Sequence, residues 1–172
     1  MDSTPATGTT LSIEPSRALI ATPAEYRQAV QNLIAAARST IRIFDADGVQ
    51  LALNSPARID SLKAFVRGNT EAKIVVVVRS IAHIEKQCPR FIQFVELHGN
   101  QIVVHLAEND AARVEDCFIL IDDAHFARRT VQTHPRGAVT FCDQHAAAPM
   151  IERFEQILGA SAIVSLSTTI GL

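Results

Sequence analysis

Asp45 and Asp47 stand two residues apart at the end of an apolar segment and are followed by Gly48. Carboxylates at the carboxyl end of a strand are what open α/β sheets use to hold a metal or to move a proton. Asp-Ala-Asp-Gly is also ordinary turn chemistry, and no third carboxylate lies at a diagnostic spacing, so the turn is preferred and no metal is assigned. The histidines, His83, His98, His105, His125, His134 and His145, match no His-x3-His spacing. His105, Cys117 and Cys142 would make a zinc site only if their strands were neighbours. Buried thiols and surface imidazoles are the plainer reading. Cys117 follows Glu115 and Asp116, whose charges oppose a thiolate, so it reads as structural rather than nucleophilic. Arg79 ends an apolar run and Arg128-Arg129 follow a hairpin. With Asp45 and Asp47, these three arginines are the candidate ligand contacts, set against the plainer reading of solvated loop side chains. No Gly-x-Gly-x-x-Gly, Walker-type or Gly-x-Ser-x-Gly motif occurs, and no cofactor is implied.

These residues need elements to hold them. Thr22-Pro-Ala-Glu25 is a capping box with proline at the first helical position, and Tyr26, Val30, Leu33 and Ile34 continue it as an amphipathic helix over residues 23–38. Residues 40–45 read as a strand. Ser55-Pro56 opens a second helix that Gly68-Asn69 closes. Ile74 to Val78 are five consecutive β-branched residues, which suits a strand covered on both faces. A helical region over 81–98, broken at Pro89, leads to a strand at 101–106. This alternation implies right-handed crossovers and a mixed, mostly parallel central sheet flanked by helices. The rhythm then changes. Residues 114–126 read as a hairpin turning at Asp122-Asp123, residues 137–142 as a further strand, and residues 147–158 as a last helix.

The 172 residues, 48% of them hydrophobic, suit one domain with a sizeable core. A net charge of −2 gives no general nucleic-acid signal, and the absence of tryptophan weakens any case for base stacking. No apolar run approaches the ~20 residues that span a bilayer. The three cysteines read as reduced thiols, and the Thr-, Ser- and Pro-rich start has no signal-peptide pattern, so a cytoplasmic protein is expected. Residues 1–20 read as a disordered lead-in, 21–160 as the domain, and 161–172 as a tail packing on the domain or on a partner.

The order of elements, with Phe118-Ile-Leu-Ile-Asp122-Asp123, Gly137-Ala-Val-Thr-Phe-Cys142-Asp143 and Met150-Ile-Glu-Arg-Phe154 in its second half, resembles a single repeat of the phospholipase D-like superfamily. That family's motif is His-x-Lys-x4-Asp, in which the His is the nucleophile, the Lys holds the phosphate charge and the Asp orients a His. If Asp122 takes the Asp position, Glu115 stands for the His and Cys117 for the Lys. Neither can do that chemistry. The following Gly-Ser-x-Asn is also missing, with Ala127-Arg-Arg-Thr130 nearby. The chain is similar to uncharacterised bacterial domains of this superfamily without the motif, some of them attached to acetyltransferases. The resemblance implies a non-catalytic binding, regulatory or oligomerisation module. Because catalytic members join two repeats along the motif-bearing strands, it also implies a homodimer burying residues 114–126. One alternative is an enzyme reusing the groove, with Asp45, Asp47 and Glu115 around a divalent metal. Another is an accessory domain to an acyltransferase.

Overall fold

Thr22 opens the first helix by accepting from the Glu25 N–H at 3.1 Å, while the Glu25 carboxylate accepts from the N–H groups of Thr22 and Ala21. The computed structural model describes residues 14–131, 133–134 and 136–166. In it, helices α1 (Pro23–Ala36), α2 (Pro56–Gly68), α3 (Ala82–Gln87), α4 (Pro89–Leu97) and α5 (Gln144–Gly159) pack on strands β1 (Ser16–Ile20), β2 (Thr40–Asp45), β3 (Lys73–Val78), β4 (Ile102–Ala107), β5 (Cys117–Ile121), β6 (His125–Arg129), β7 (Gly137–Phe141) and β8 (Ser161–Ile163). Pro89 separates α3 from α4 because it suits a first helical turn and cannot continue one.

The strands form one sheet in the order β1-β7-β6-β5-β2-β3-β4-β8. Among the described residues only β2–β3 and β3–β4 pair in parallel, and the other five pairings are antiparallel. The expected mostly parallel sheet is therefore corrected to a mixed, mostly antiparallel one. The crossover rule governs only the three strands linked by helices. The tight β5–β6 hairpin and the returning edge strands reverse direction at each step. Burial on both faces, which the apolar run in β3 signalled, is real, but helices cover both faces of antiparallel neighbours here as well.

Order also begins earlier than the sequence suggests. Ser16–Ile20, placed in the lead-in, pairs with β7 from Ser16↔Phe141 to Ile20↔Gly137. Four of its five residues are exposed, so a short edge strand leaves almost no hydrophobic pattern to read. Residues 1–13 and 167–172 of the expected lead-in and tail lie outside the described residues.

Two apolar cores result. On one face α1, α2 and α4 bury Leu33, Leu62 and Phe91 against Ile41, Ile74 and Ile119. On the other, α5 brings Met150 and Phe154 onto Phe44, Val77, Phe118 and Leu120. The Phe118 ring lies 5.6 Å from that of Phe44 and 6.4 Å from that of Phe154, centroid to centroid. No helix among the described residues is long and apolar enough to cross a membrane.

Candidate functional site

Register places three chemically capable side chains in one row. Phe44 pairs with Phe118, which sets Asp45 beside Cys117, and Cys117 pairs with Arg129. Paired residues share a sheet face, and this row lies on the face covered by α1. Arg129 Nη2 is 3.7 Å from Asp45 Oδ1, with both side chains almost wholly buried. The Arg129 guanidinium lies over the Tyr26 ring, 4.4 Å from its centroid. Asp45 Oδ2 accepts from the N–H groups of Gly48 at 2.8 Å and Asp47 at 3.3 Å. Asp45 Oδ1 and Tyr26 Oη have no well-formed hydrogen bond among the described residues. The Asp45–Arg129 contact is thus an ion pair rather than a hydrogen bond.

Burial dominates the proton affinities in this cluster. It raises the Asp45 carboxyl above its ordinary value, against the lowering effects of the Gly48 N–H and the Arg129 charge. The Cys117 thiol is pushed up to about 12, by burial first and by the Asp45 charge second. The Tyr26 phenol is likewise raised, chiefly by burial. Neither the Cys117 thiol nor the Tyr26 phenol is set up as a nucleophile at neutral pH.

The other candidates are accounted for one by one. Asp47 Oδ1 accepts from the Val49 N–H at 3.0 Å. Gly48 has φ +83°, and a Cβ there would come within 2.9 Å of Leu53 Cδ1. The Asp-Ala-Asp-Gly segment is therefore a turn, with Asp45 in addition an ion-pair member. Arg79 donates to the Val114 carbonyl and lies 3.9 Å from Cys117 Sγ. Glu115 is exposed. Asp122 sits at the opposite end of β5, where its carboxylate accepts from the backbone N–H groups of Arg38, Ser39 and Thr40 at 2.7, 2.7 and 2.8 Å. Arg128 points to the other face of the sheet and binds Asp116.

The metal alternatives do not assemble. No group of three His, Cys, Asp or Glu among the described residues is placed to hold an ion. Asp45 is committed to Gly48 and Arg129, which leaves Asp47 and Glu115 without a centre. His105 and Cys142 belong to β4 and the end of β7, five strands apart, or roughly 24 Å at the usual spacing.

Residues 22–165 match the sequence profile of a domain of unknown function, DUF7931. The chain belongs to the DUF7931 family. No curated protein matches its sequence. In fold, this DUF7931 chain is similar to Nuc, a phospholipase D family member from Salmonella typhimurium, with 15% identity and a TM-score of 0.65 over 90% of this chain and 100% of Nuc. It is similar to NucT from Helicobacter pylori, with 14% identity and a TM-score of 0.62 over 88% of this chain and 100% of NucT. It is also similar to TrmBL2, an archaeal chromatin protein, with 11% identity and a TM-score of 0.64 over 91% of this chain and 57% of that one. At these identities the likeness is one of fold, and the expected single phospholipase D-like repeat holds at that level.

Reading the DUF7931 sequence alone missed Tyr26, Asp116 and Arg153. Tyr26 looked like an ordinary apolar-face residue, and its partner Arg129 is distant in sequence. One signal was available. Consecutive strand residues point to opposite faces, so Arg128 and Arg129 had to part company.

Proposed function

We propose that this DUF7931 domain is a non-catalytic module, a phospholipase D-like fold retained for binding or regulation. The observation that carries the reading is the buried Asp45–Arg129 pair beside Cys117. With Asp122 in the motif Asp position, Glu115 and Cys117 stand where the family's His and Lys would be. Glu115 is an exposed acid that repels a phosphodiester, and Cys117 is a fully buried neutral thiol. Arg129 is turned inward to Asp45, and Arg79 to the Val114 carbonyl.

The test is hydrolysis of bis(p-nitrophenyl) phosphate by the purified chain, with magnesium, manganese or zinc and with EDTA. No turnover above buffer is expected under any condition. Turnover that co-elutes with the protein and disappears in Glu115→Gln or Asp45→Asn overturns the reading.

The dimer is part of the same proposal, with its contact moved. β5 is an interior strand whose five residues are all buried within the subunit, so within residues 114–126 the fully exposed positions are Glu115 and Asp123, at opposite ends of the strand. A contact at the Glu115 end keeps the arrangement in which two repeats face each other. Light scattering behind gel filtration should give twice the 18.7 kDa chain mass. Monomer alone at tens of micromolar rejects the dimer without touching the non-catalytic reading.

A further inference from the structure

A groove of about 970 Å³ lies on the sheet face opposite the Asp45–Arg129 pair, between α5 and the outer strands β6, β7 and β1. α5 packs over β4, β5 and β6, and the groove opens beyond its edge, over β6, β7 and β1. Four arginines from four segments line the groove: Arg17 on β1, Arg128 on β6, Arg136 before β7 and Arg153 on α5. Its acidic lining is Asp143, which is occupied in accepting the Ala146 N–H at the start of α5, and Glu152.

The two inner arginines are fixed by a carboxylate beneath them. Asp116 is 3% exposed. Its Oδ2 accepts from Arg128 Nε at 3.0 Å and from Arg153 Nε at 3.2 Å, while Oδ1 accepts from Arg153 Nη2 at 2.8 Å. These bonds leave both terminal nitrogens of Arg128 and one of Arg153 without a partner among the described residues, on side chains about 40% exposed. A buried acid between two half-exposed arginines removes most of their conformational freedom in advance, which lowers the entropy lost when they grip an anion. Arg17 and Arg136 make no hydrogen bond or ion pair among the described residues. Half-buried Phe126, with the small exposed edge of the core residue Met150, supplies apolar surface beside this cationic centre.

We propose that this groove binds a small phosphorylated organic molecule of about nucleotide size. The phosphate would sit against Arg128 and Arg153 and the organic part over Phe126 and Met150. Several donors converging from different elements suit a tetrahedral dianion better than a planar carboxylate. The volume fits one such molecule, and the mixed lining fits an amphiphilic ligand better than a bare ion. The site lies on a different face from the sealed cluster and stands whether or not that cluster is catalytic.

Calorimetric titration of the full chain at low salt, with inorganic phosphate, pyrophosphate, adenosine monophosphate and a short single-stranded oligonucleotide, tests it. Adenosine monophosphate should bind with Kd at or below ~1 mM and more tightly than inorganic phosphate. The double variant R17Q/R136Q, which breaks no contact within the described fold, should weaken it by about tenfold at an unchanged melting temperature. Arg153→Gln should weaken it further, with Arg153→Lys only partly restoring it. Three outcomes overturn the proposal: no heat with any phosphate compound, binding indifferent to R17Q/R136Q, or binding of the oligonucleotide alone.

Discussion

Arg128 and Arg129 are neighbours in sequence and strangers in space. Arg128 faces α5 and shares Asp116 with Arg153, and Arg129 faces α1 and pairs with Asp45. A buried charge is tolerable only while its partner remains. Arg129→Met should therefore cost roughly 3–5 kcal/mol in denaturant unfolding, and Asp45→Asn in the same chain should recover most of that loss. A double variant that costs the sum of the two single variants would mean that the pair is not coupled. Cys117 gives a pH test. Its thiol, ordinarily near 9.0, is raised to about 12, so between those values the folded chain keeps a proton that the unfolded chain loses. Stability contributed below pH 9 is then lost as pH climbs toward 12. Cys117→Ala should flatten that alkaline decline, followed by melting temperature at pH 8 to 11, even though the cavity lowers stability at every pH. Asp45 carries the same sign in the acid range: its raised carboxyl favours the folded state less as pH rises through its own value.

At the scale of elements, the β5–β6 hairpin shows what a short-range pattern can and cannot convey. Asp122-Asp123 reads as a turn, and both residues do take positive φ, +49° and +60°, with the Ala124 N–H donating to the Ile121 carbonyl. Ile121 pairs with His125, so the loop is three residues long, and its left-handed positions fall on Asp122 and Asp123, which Asp tolerates. What the pattern hides is that the Asp122 carboxylate reaches 82 to 84 residues back along the chain to fasten the entry to β2. Asp122→Ala should cost about 2–3 kcal/mol, since hydrogen bonds to a charged acceptor count for more than neutral ones and water can replace only part of them. Asp122→Asn should recover about half. A cost below 0.5 kcal/mol, the range of an ordinary surface change, would show the three contacts to be incidental. The elements with local signals were legible: the Thr22–Glu25 box, the Ser55 cap whose side chain accepts from the Arg58 N–H, and the break at Pro89. Edge strand β1 was not, because a strand whose ladder has one partner and whose side chains face water writes no periodicity.

At the scale of the whole molecule, strand direction was the least legible property. Alternating helices and strands fix the direction of β2, β3 and β4, and nothing in the apolar run of β5 distinguishes a parallel from an antiparallel neighbour. The candidate site shares that fate. Asp45, Cys117 and Arg129 come together only because β5 runs against β2 and β6 against β5. Under a parallel order, Cys117 would have lain at the far end from Asp45, and the sealed row could not exist.

The order of the sheet has a mechanical consequence. β1 and β8 are its two opposite edges, seven inter-strand steps apart, or roughly 34 Å. Load applied between them would act across the ladder, opening hydrogen bonds one after another instead of shearing a whole strand at once. β8 is held by three residue pairs and β1 by five. In an optical trap with handles at Arg17 and Ile163, β8 should peel first and β1 next, as short extensions at low force, before the inner strands β2, β3 and β5 give way together. A single all-or-none rupture would show that both edges are bound into the core more tightly than their ladders alone provide.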